Sequence, residues 1–226
     1  MTGANVSVKI DDESMRADIA GKPYHQQFPI DAEKPMYEQD IDARALWKKI
    51  IHNAWKSAEP GVLFWDTILR ESVPHCYADE GFNTVSTNPC GEIPLCPYDS
   101  CRLLALNLYS YVDKPFTAEA SFDFAKFRDH VGKAMRMMDD IIDLELEKVE
   151  QIIAKIDADP EEADIRYVES NLWKKVREMA LKGRRTGLGI TAEGDMIAAL
   201  GMRYGSDEAV AFAAEVHKTL ALAAYG

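Results

Sequence analysis

The chain has 226 residues, enough for a substantial core in one large domain or two small ones. Hydrophobic residues make up 47% and charged residues 28%, the balance of a soluble globular protein. The net charge of −12 argues against wrapping a nucleic acid backbone, and no apolar run approaches the roughly 20 residues of a membrane span.

The start, Met1-Thr2-Gly3-Ala4-Asn5, lacks the basic and apolar regions of a signal peptide, so the chain is expected in the cytoplasm. Asn5 to Ile10 alternates polar and apolar residues like a strand that begins with almost no lead-in. Asp11 or Asp12 can cap a short helix closed by Gly21. Residues 22–40 are polar and contain prolines, which predicts an irregular connection. Asp42 can cap a helix from Ala43 to about Lys56, with Trp47, Ile51, Ala54 and Trp55 on one face as a core stripe. Glu59-Pro60-Gly61 is a turn, followed by a buried strand at Val62-Leu63-Phe64-Trp65 and a short helix or loop over 66–80.

Residues 81–101 hold three prolines and two glycines with little helical period, which predicts a long ordered loop. Leu103 to Val112 suits a strand, and a long helix spans about 122–157, with Phe124, Phe127, Val131, Met135, Met138 and Ile142 as its apolar face. Asp159-Pro160 breaks it. A second helix runs from about Glu162 to Leu181 and ends at Gly183. Gly187 to Ile190 reads as turn and strand, Asp195 as the cap of a helix to Leu200, and Ser206 as the cap of a last helix to about Ala223. That helix runs straight to the last residue, Gly226, so both ends look cut from something larger. Strands separated by helices, without hairpin dipeptides, predict an α/β fold with parallel pairing.

The chemistry concentrates in the loop. Asn88-Pro89-Cys90-Gly91-Glu92 sets an amide, a thiol and a carboxyl within five residues, and an extended backbone would aim all three to one side. A thiol held between Pro and Gly is presented to a substrate without ordering cost, and Glu92 beside it suits a general base. The residues alone leave open a second reading, in which the loop only packs and Cys90 is a small buried hydrophobe. The four cysteines, 76, 90, 96 and 101, include no C-x-x-C pair, and outside a secreted chain they are expected free, catalytic or metal-bound.

The run Ser86-Thr87-Asn88-Pro89-Cys90-Gly91-Glu92-Ile93-Pro94-Leu95, continuing through Pro97-Tyr98-Asp99-Ser100-Cys101, resembles the active-site loop of ribonucleotide reductases, specifically the adenosylcobalamin-dependent class II enzymes. Leu106-Asn107-Leu108, Pro60-Gly61-Val62-Leu63-Phe64 and Arg185-Thr186-Gly187-Leu188-Gly189 match too, and Thr2-Gly3-Ala4-Asn5-Val6-Ser7 resembles a strand of that family's barrel. The resemblance implies an α/β fold, part of a ten-stranded α/β barrel with a central finger loop. It makes 1–226 a single incomplete catalytic barrel domain and 83–101 its active-site loop.

Cys90 is then the thiyl radical site that takes the ribose 3′-hydrogen, and Glu92 takes the 3′-hydroxyl proton. Asn88 bonds the ribose hydroxyls, and Cys101 is one of two thiols that deliver electrons and become a disulfide. Residues 88–92, Asn88, Pro89, Cys90, Gly91 and Glu92, form the substrate-binding loop. Also implied are a ribonucleotide substrate, taken as a diphosphate, adenosylcobalamin as cofactor, dNTP or ATP effectors, a thioredoxin-like reductant and a homodimer at full length.

The eleven-residue step from Cys90 to Cys101 is the basis for class II over the aerobic di-iron class I large subunit, the alternative. The family's second redox cysteine, its later phosphate loop and its cysteine-bearing tail have no counterpart here. The chain therefore reads as an internal fragment, inactive by itself, or alternatively as a non-catalytic docking or assembly piece.

Other constellations carry less. Zinc would suit Cys90, Cys96 and Cys101 with His75-Cys76 poorly, because the gaps of five and four residues are wrong for a tight pair. Asp139-Asp140-Ile141-Ile142-Asp143 spells the Asp-rich motif of prenyl-transferring enzymes, but no second one occurs, and the stretch reads as solvated. Gly187, Gly189 and Gly194 miss the G-x-G-x-x-G spacing. Arg184-Arg185 reads as a solvated helix end, and His25, His52, His130 and His217 receive no role.

Overall fold

The structure, a computed structural model, describes residues 4–226, so Thr2 and Gly3 of the predicted barrel strand lie outside the described residues. The chain divides into two compact units. The first ends at Pro97 and the second begins at Tyr98, inside the 83–101 loop.

The first unit runs β1 (Ser7–Ile10), α1 (Asp12–Ala20), β2 (Pro23–Phe28), β3 (Tyr37–Asp42), α2 (Ala43–Ser57), β4 (Gly61–Phe64) and α3 (Trp65–Glu71). A 3₁₀ segment (Pro74–Glu80), β5 (Ser86–Thr87) and β6 (Pro94–Leu95) follow. The caps of the early helices are where the sequence puts them. Asp11 Oδ1 accepts from the Ser14 N–H at 2.6 Å, and Gly21 ends α1 in the left-handed region. Asp42 Oδ1 accepts from the Ala45 N–H at 2.9 Å to start α2. Each such bond satisfies a donor the helix cannot satisfy itself. β1 pairs parallel with β4, Ser7 opposite Gly61 and Ile10 opposite Phe64.

Three expectations fail here. Residues 22–40 are not irregular: β2 and β3 form an antiparallel hairpin in register from Pro23↔Asp42 to Phe28↔Tyr37. Its strands are almost wholly exposed, so they lack the apolar alternation that marks a half-buried strand, and the long connection over 29–36 carries no two-residue turn signature. The tryptophan stripe of α2 is not core: Trp55 is 80% exposed and Ile51 48%. The covered line instead runs through Ala43, Trp47, Ile50 and Ala54, one turn-periodic row away. Residues 62–65 are not one buried strand, because β4 is only half-buried and Trp65 already opens α3.

The second unit runs β7 (Arg102–Asn107), a 3₁₀ turn (Leu108–Tyr111), β8 (Val112–Asp113), β9 (Ser121–Phe122), α4 (Phe124–Ala158) and α5 (Ala163–Gly183). It closes with β10 (Thr186–Thr191), α6 (Glu193–Ala199) and α7 (Asp207–Tyr225). β7 and β10 pair parallel from Thr186↔Arg102 to Thr191↔Asn107. The predicted apolar face of α4 is real: Phe127, Val131, Met138 and Ile142 are almost wholly buried, and α4 contacts α5, α7 and both strands.

The core gathers Phe127 and Val131 with Leu108, Tyr111, Phe122 and Met196, and Tyr111 meets Phe127 edge-on at 5.0 Å between ring centroids. Burying side chains of this size stabilises by roughly 1.5–3 kcal/mol each, which outweighs the weak intrinsic propensity of a long helix. Ser206 Oγ accepts from the Ala209 N–H and caps α7 as expected, but α6 is capped at Ala192, with Asp195 inside its first turn.

The Arg184-Arg185 pair is not a solvated helix end. Arg184, left-handed at φ 41°, closes α5 in place of Gly183. Its Nε donates to Asp139 Oδ1 at 2.7 Å and its Nη1 to Asp143 Oδ1 at 2.8 Å. The acidic run of α4 is thus paired rather than merely solvated, because Asp139 and Asp143, one helical turn apart, face the same guanidinium. The architecture is mixed α/β. The described residues form five two-stranded sheets, two parallel and three antiparallel, and no closed barrel.

Candidate functional site

The loop of the first unit is a small hairpin rather than an extended run. Ser86 pairs with Leu95 and Thr87 with Pro94, and the Val85 N–H donates to Leu95 O at 2.9 Å. Asn88 then organises the turn through three atoms. Its N–H donates to Ile93 O at 3.1 Å, its carbonyl accepts from the Gly91 N–H at 3.0 Å, and its Oδ1 accepts from the Ile93 N–H at 2.8 Å. The Asn88-to-Gly91 bond bends the backbone, so the alternation of Asn88, Cys90 and Glu92 expected of an extended strand does not hold. Gly91 sits at φ 87°, where a Cβ is strained, and that Cβ would meet Leu63 Cδ2 at 3.2 Å.

What the turn does achieve is exposure. Cys90 and Glu92 are exposed while Asn88 is half-buried. The packing reading of Cys90 as a buried hydrophobe therefore fails; the buried thiol of the loop is Cys96. The loop stem is tied down by Lys9 of β1, whose Nζ donates to Val85 O at 2.7 Å and lies 3.6 Å from the centre of the Trp65 ring. Burial in this position lowers the Lys9 pKa. His75 and Cys76 serve the fold: His75 Nδ1 accepts from the Thr84 N–H at 3.1 Å, and the Cys76 thiol donates to Val73 O at 2.9 Å.

Beside Cys90 lies a cavity of about 220 Å³ in the first unit. Pro89, Cys90 and Gly91 form one side, and Asn5, Ser7 and Glu59 are among the residues opposite. Glu59 Oε2 is buried and has no hydrogen-bond partner among the described residues. Ser7 and Glu59, which line the cavity, and Lys9, which ties the loop stem, have no role in the sequence reading. The signals available were the β1 and Pro60-Gly61 segments, which resemble the family but do not show which side chain faces the loop.

Cys101 belongs to the second unit, where it is half-buried at the entry to β7. The residues on either side of it are clamped. Arg185 Nη1 donates to Asp99 Oδ2 at 2.5 Å, with both side chains largely buried. Arg102 forms a two-pronged pair with Glu145 of α4, Nε to Oε2 at 2.6 Å and Nη2 to Oε1 at 2.5 Å. Its Nη1 also donates to Arg185 O at 3.4 Å. These partners are 43 to 86 positions apart, which no local pattern reveals. Of the three motif side chains only that of Cys90 lines the hollow; Asn88 and Glu92 are not among its lining residues. A loop presenting a thiol to a polar hollow can exchange hydrogen with a small ligand held there. A clamped thiol can act in electron transfer at a fixed place.

Residues 11–226 match the family model of the ribonucleotide reductase barrel domain, and the chain belongs to that family. Among its relatives, the vitamin B12-dependent ribonucleoside-diphosphate reductase of Thermoplasma acidophilum is 38% identical over 170 residues, 75% of this chain and 18% of the relative. The protein of the same description from Mycobacterium tuberculosis is 31% identical over 186 residues, 82% of this chain and 22% of the relative. A vitamin B12-dependent ribonucleotide reductase of Streptomyces clavuligerus is 28% identical over 222 residues, 98% of this chain and 20% of the relative. The chain spans about a fifth of the length of the curated relatives it matches.

Proposed function

We propose that this chain carries the central cysteine loop of a class II ribonucleotide reductase. The protein would reduce ribonucleoside diphosphates to 2′-deoxyribonucleotides, with adenosylcobalamin as cofactor. The observation that carries this reading is the exposed Cys90 on a turn braced by Asn88, with Glu92 exposed on the same turn and a polar cavity beside the thiol. The two units belong to one catalytic barrel domain over 1–226, with 83–101 as its active-site loop. Support comes from the single family match across both units, with the parallel pairs β1–β4 and β7–β10 consistent with an α/β fold.

The chemistry assigned to this chain's own residues is as follows. Cys90, as a thiyl radical, takes the 3′-hydrogen of the ribose and becomes a thiol, which gives the hydrogen back to C3′ after the reduction and is again the radical. Glu92 accepts the 3′-hydroxyl proton. Asn88 has its Oδ1 engaged by Ile93, so its Nδ2 is the group that donates to a ribose hydroxyl. The 2′-hydroxyl leaves as water, and two thiols supply two electrons and become a disulfide, Cys101 being one and its partner lying outside this chain. Adenosylcobalamin, when bound, would supply the radical chemistry that converts the Cys90 thiol to its thiyl. The exposed thiol fits that role, whereas the cavity beside it suits a ribose rather than a corrin ring, so no residue here is assigned to hold the cofactor. Effector nucleotides, a thioredoxin-like reductant, a homodimer and a cytoplasmic setting complete the reading. No helix among the described residues is long and apolar enough to cross a membrane.

The test uses the full-length enzyme. Cys90→Ser is expected to abolish substrate-dependent tritium release from the 3′ position, because a serine hydroxyl does not form the radical. Release that persists in this variant refutes the assignment. Alkylated Cys101 is expected to stop single-turnover reduction, and reduction that survives refutes its role.

A further inference from the structure

We propose that Gly187 is the positioning residue of the Cys101 thiol: its bare Cα leaves the space that holds Sγ in one place at the entry to β7. The functional weight of this inference rests on the assignment of Cys101 as a redox thiol, but the geometry stands without it. Gly187 lies on β10 opposite Leu103 of the parallel strand β7. A Cβ built on it would come within 2.9 Å of Cys101 Sγ and 2.7 Å of Leu103 Cδ2.

The two contacts differ in kind. Leu103 is 69% exposed, and its terminal methyl can swing into solvent. Cys101 has one side-chain torsion and is half-buried, so its sulfur can yield only by jumping to another staggered well. The backbone cannot absorb the difference, because Asp99 and Arg102 on either side are bound to Arg185 and Glu145. Arg185 lies two residues before Gly187, immediately ahead of β10, so the clamp on the cysteine segment and the glycine that makes room for the thiol are neighbours in the chain. Any other residue at 187 would leave the fold's charges in place and move the sulfur.

The test reads the thiol directly in the full-length enzyme, with Leu103→Ala as the background that removes the trivial clash. Peptide-resolved alkylation by iodoacetamide gives the reactivity of Cys101, and that of Cys90 serves as the internal reference. Leu103→Ala alone is expected to leave the Cys101 rate within about twofold of the native rate, since the leucine does not hold the thiol. Adding Gly187→Ala is expected to change the Cys101 rate by about fivefold or more, because a displaced sulfur has a new environment. A Cys101 rate equal to that of Leu103→Ala alone overturns the proposal.

Thermal melting supplies a second readout for a variant that folds poorly. In the Leu103→Ala background, the fall in Tm caused by Gly187→Ala should shrink by about half when Cys101→Ala removes the sulfur. An undiminished fall overturns the proposal. Failure of the redox reading looks different: the alkylation rate shifts as expected while turnover and KM stay native.

Discussion

Removing the carboxylate of Glu145 should loosen β7, which begins just after Cys101, and the structure sets the size of the effect. Glu145 accepts two charge-assisted hydrogen bonds from Arg102, whose side chain is only 10% exposed, whereas that of Glu145 is 32% exposed. Breaking a fully buried ion pair by deleting one partner costs about 3–5 kcal/mol, and each charge-assisted bond contributes about 1.5–3 kcal/mol. Water reaches the Glu145 side, and Arg102 keeps its bonds to Ser100 O and Arg185 O, so the loss falls below that range.

Glu145→Ala is therefore expected to destabilise the second unit by about 2–3 kcal/mol, the small gain in helix propensity notwithstanding. Glu145→Gln retains one acceptor and should lose about half as much. The exposed pair Glu215–Lys218 on α7 is the control, where Glu215→Ala should change stability by no more than about 0.5 kcal/mol. Hydrogen exchange at the β7 amides, Arg102 to Asn107, reads the opening free energy in the right unit, where bulk fluorescence would mix both. Equal protection in Glu145→Ala and Glu215→Ala would refute the reasoning.

Gly91→Ala should strain the turn at φ 87° and crowd Leu63, costing about 1–2 kcal/mol and altering the alkylation rate of Cys90; an unchanged Tm and rate would count against the turn geometry. Asn88→Asp keeps the Oδ acceptor for Ile93 but removes the Nδ2 donor, so the loop should stay folded while turnover of the full-length enzyme falls; equal loss of both would show that Asn88 is only a turn residue. The hydrogen bond from Arg184 holds the Asp139 carboxyl below its ordinary pKa. A depressed folded pKa contributes stability that is present above the unfolded value, about 3.9, and is lost as pH falls through the folded one. The gap between native and Arg184→Gln melting temperatures should therefore narrow at acid pH, though not vanish, because Arg184 Nη2 also donates to Asp139 O at 3.0 Å, and a constant gap down to low pH would exclude the carboxylate pair as a cause.

How much of this was legible follows the range of each interaction. Asp11, Asp42 and Ser206 cap helices because a cap needs only its own side chain and a backbone N–H three residues on. The α4 stripe was legible because period and burial coincide there. The β2–β3 hairpin was not, since exposed strands carry no burial pattern. The partners of Arg184 and Arg185 are not legible, because a cation at a helix end looks solvated until the fold delivers Asp139 or Asp99 from another element. In α2 the helix was right and the face wrong: both stripes share Trp47, and only the packing chooses between Ile50 and Ile51.

The loop shows the same division inside five residues. Its motif named Asn88, Cys90 and Glu92 by kind, and an extended backbone was the natural way to align them. The structure aligns nothing by alternation. It spends the Asn88 carbonyl and Oδ1 on closing a turn, and that closure is what leaves Cys90 and Glu92 exposed. Asn88 thus accepts twice from the backbone, through its carbonyl and its Oδ1, and its Nδ2 is the group the proposed function assigns to a ligand. An aspartate keeps the side-chain acceptor but not the proposed donor, and a leucine has neither, so the turn and the proposed ligand would together select an amide at 88. Spacing alone cannot express that constraint, because it lies in the direction of two hydrogen bonds on one amide.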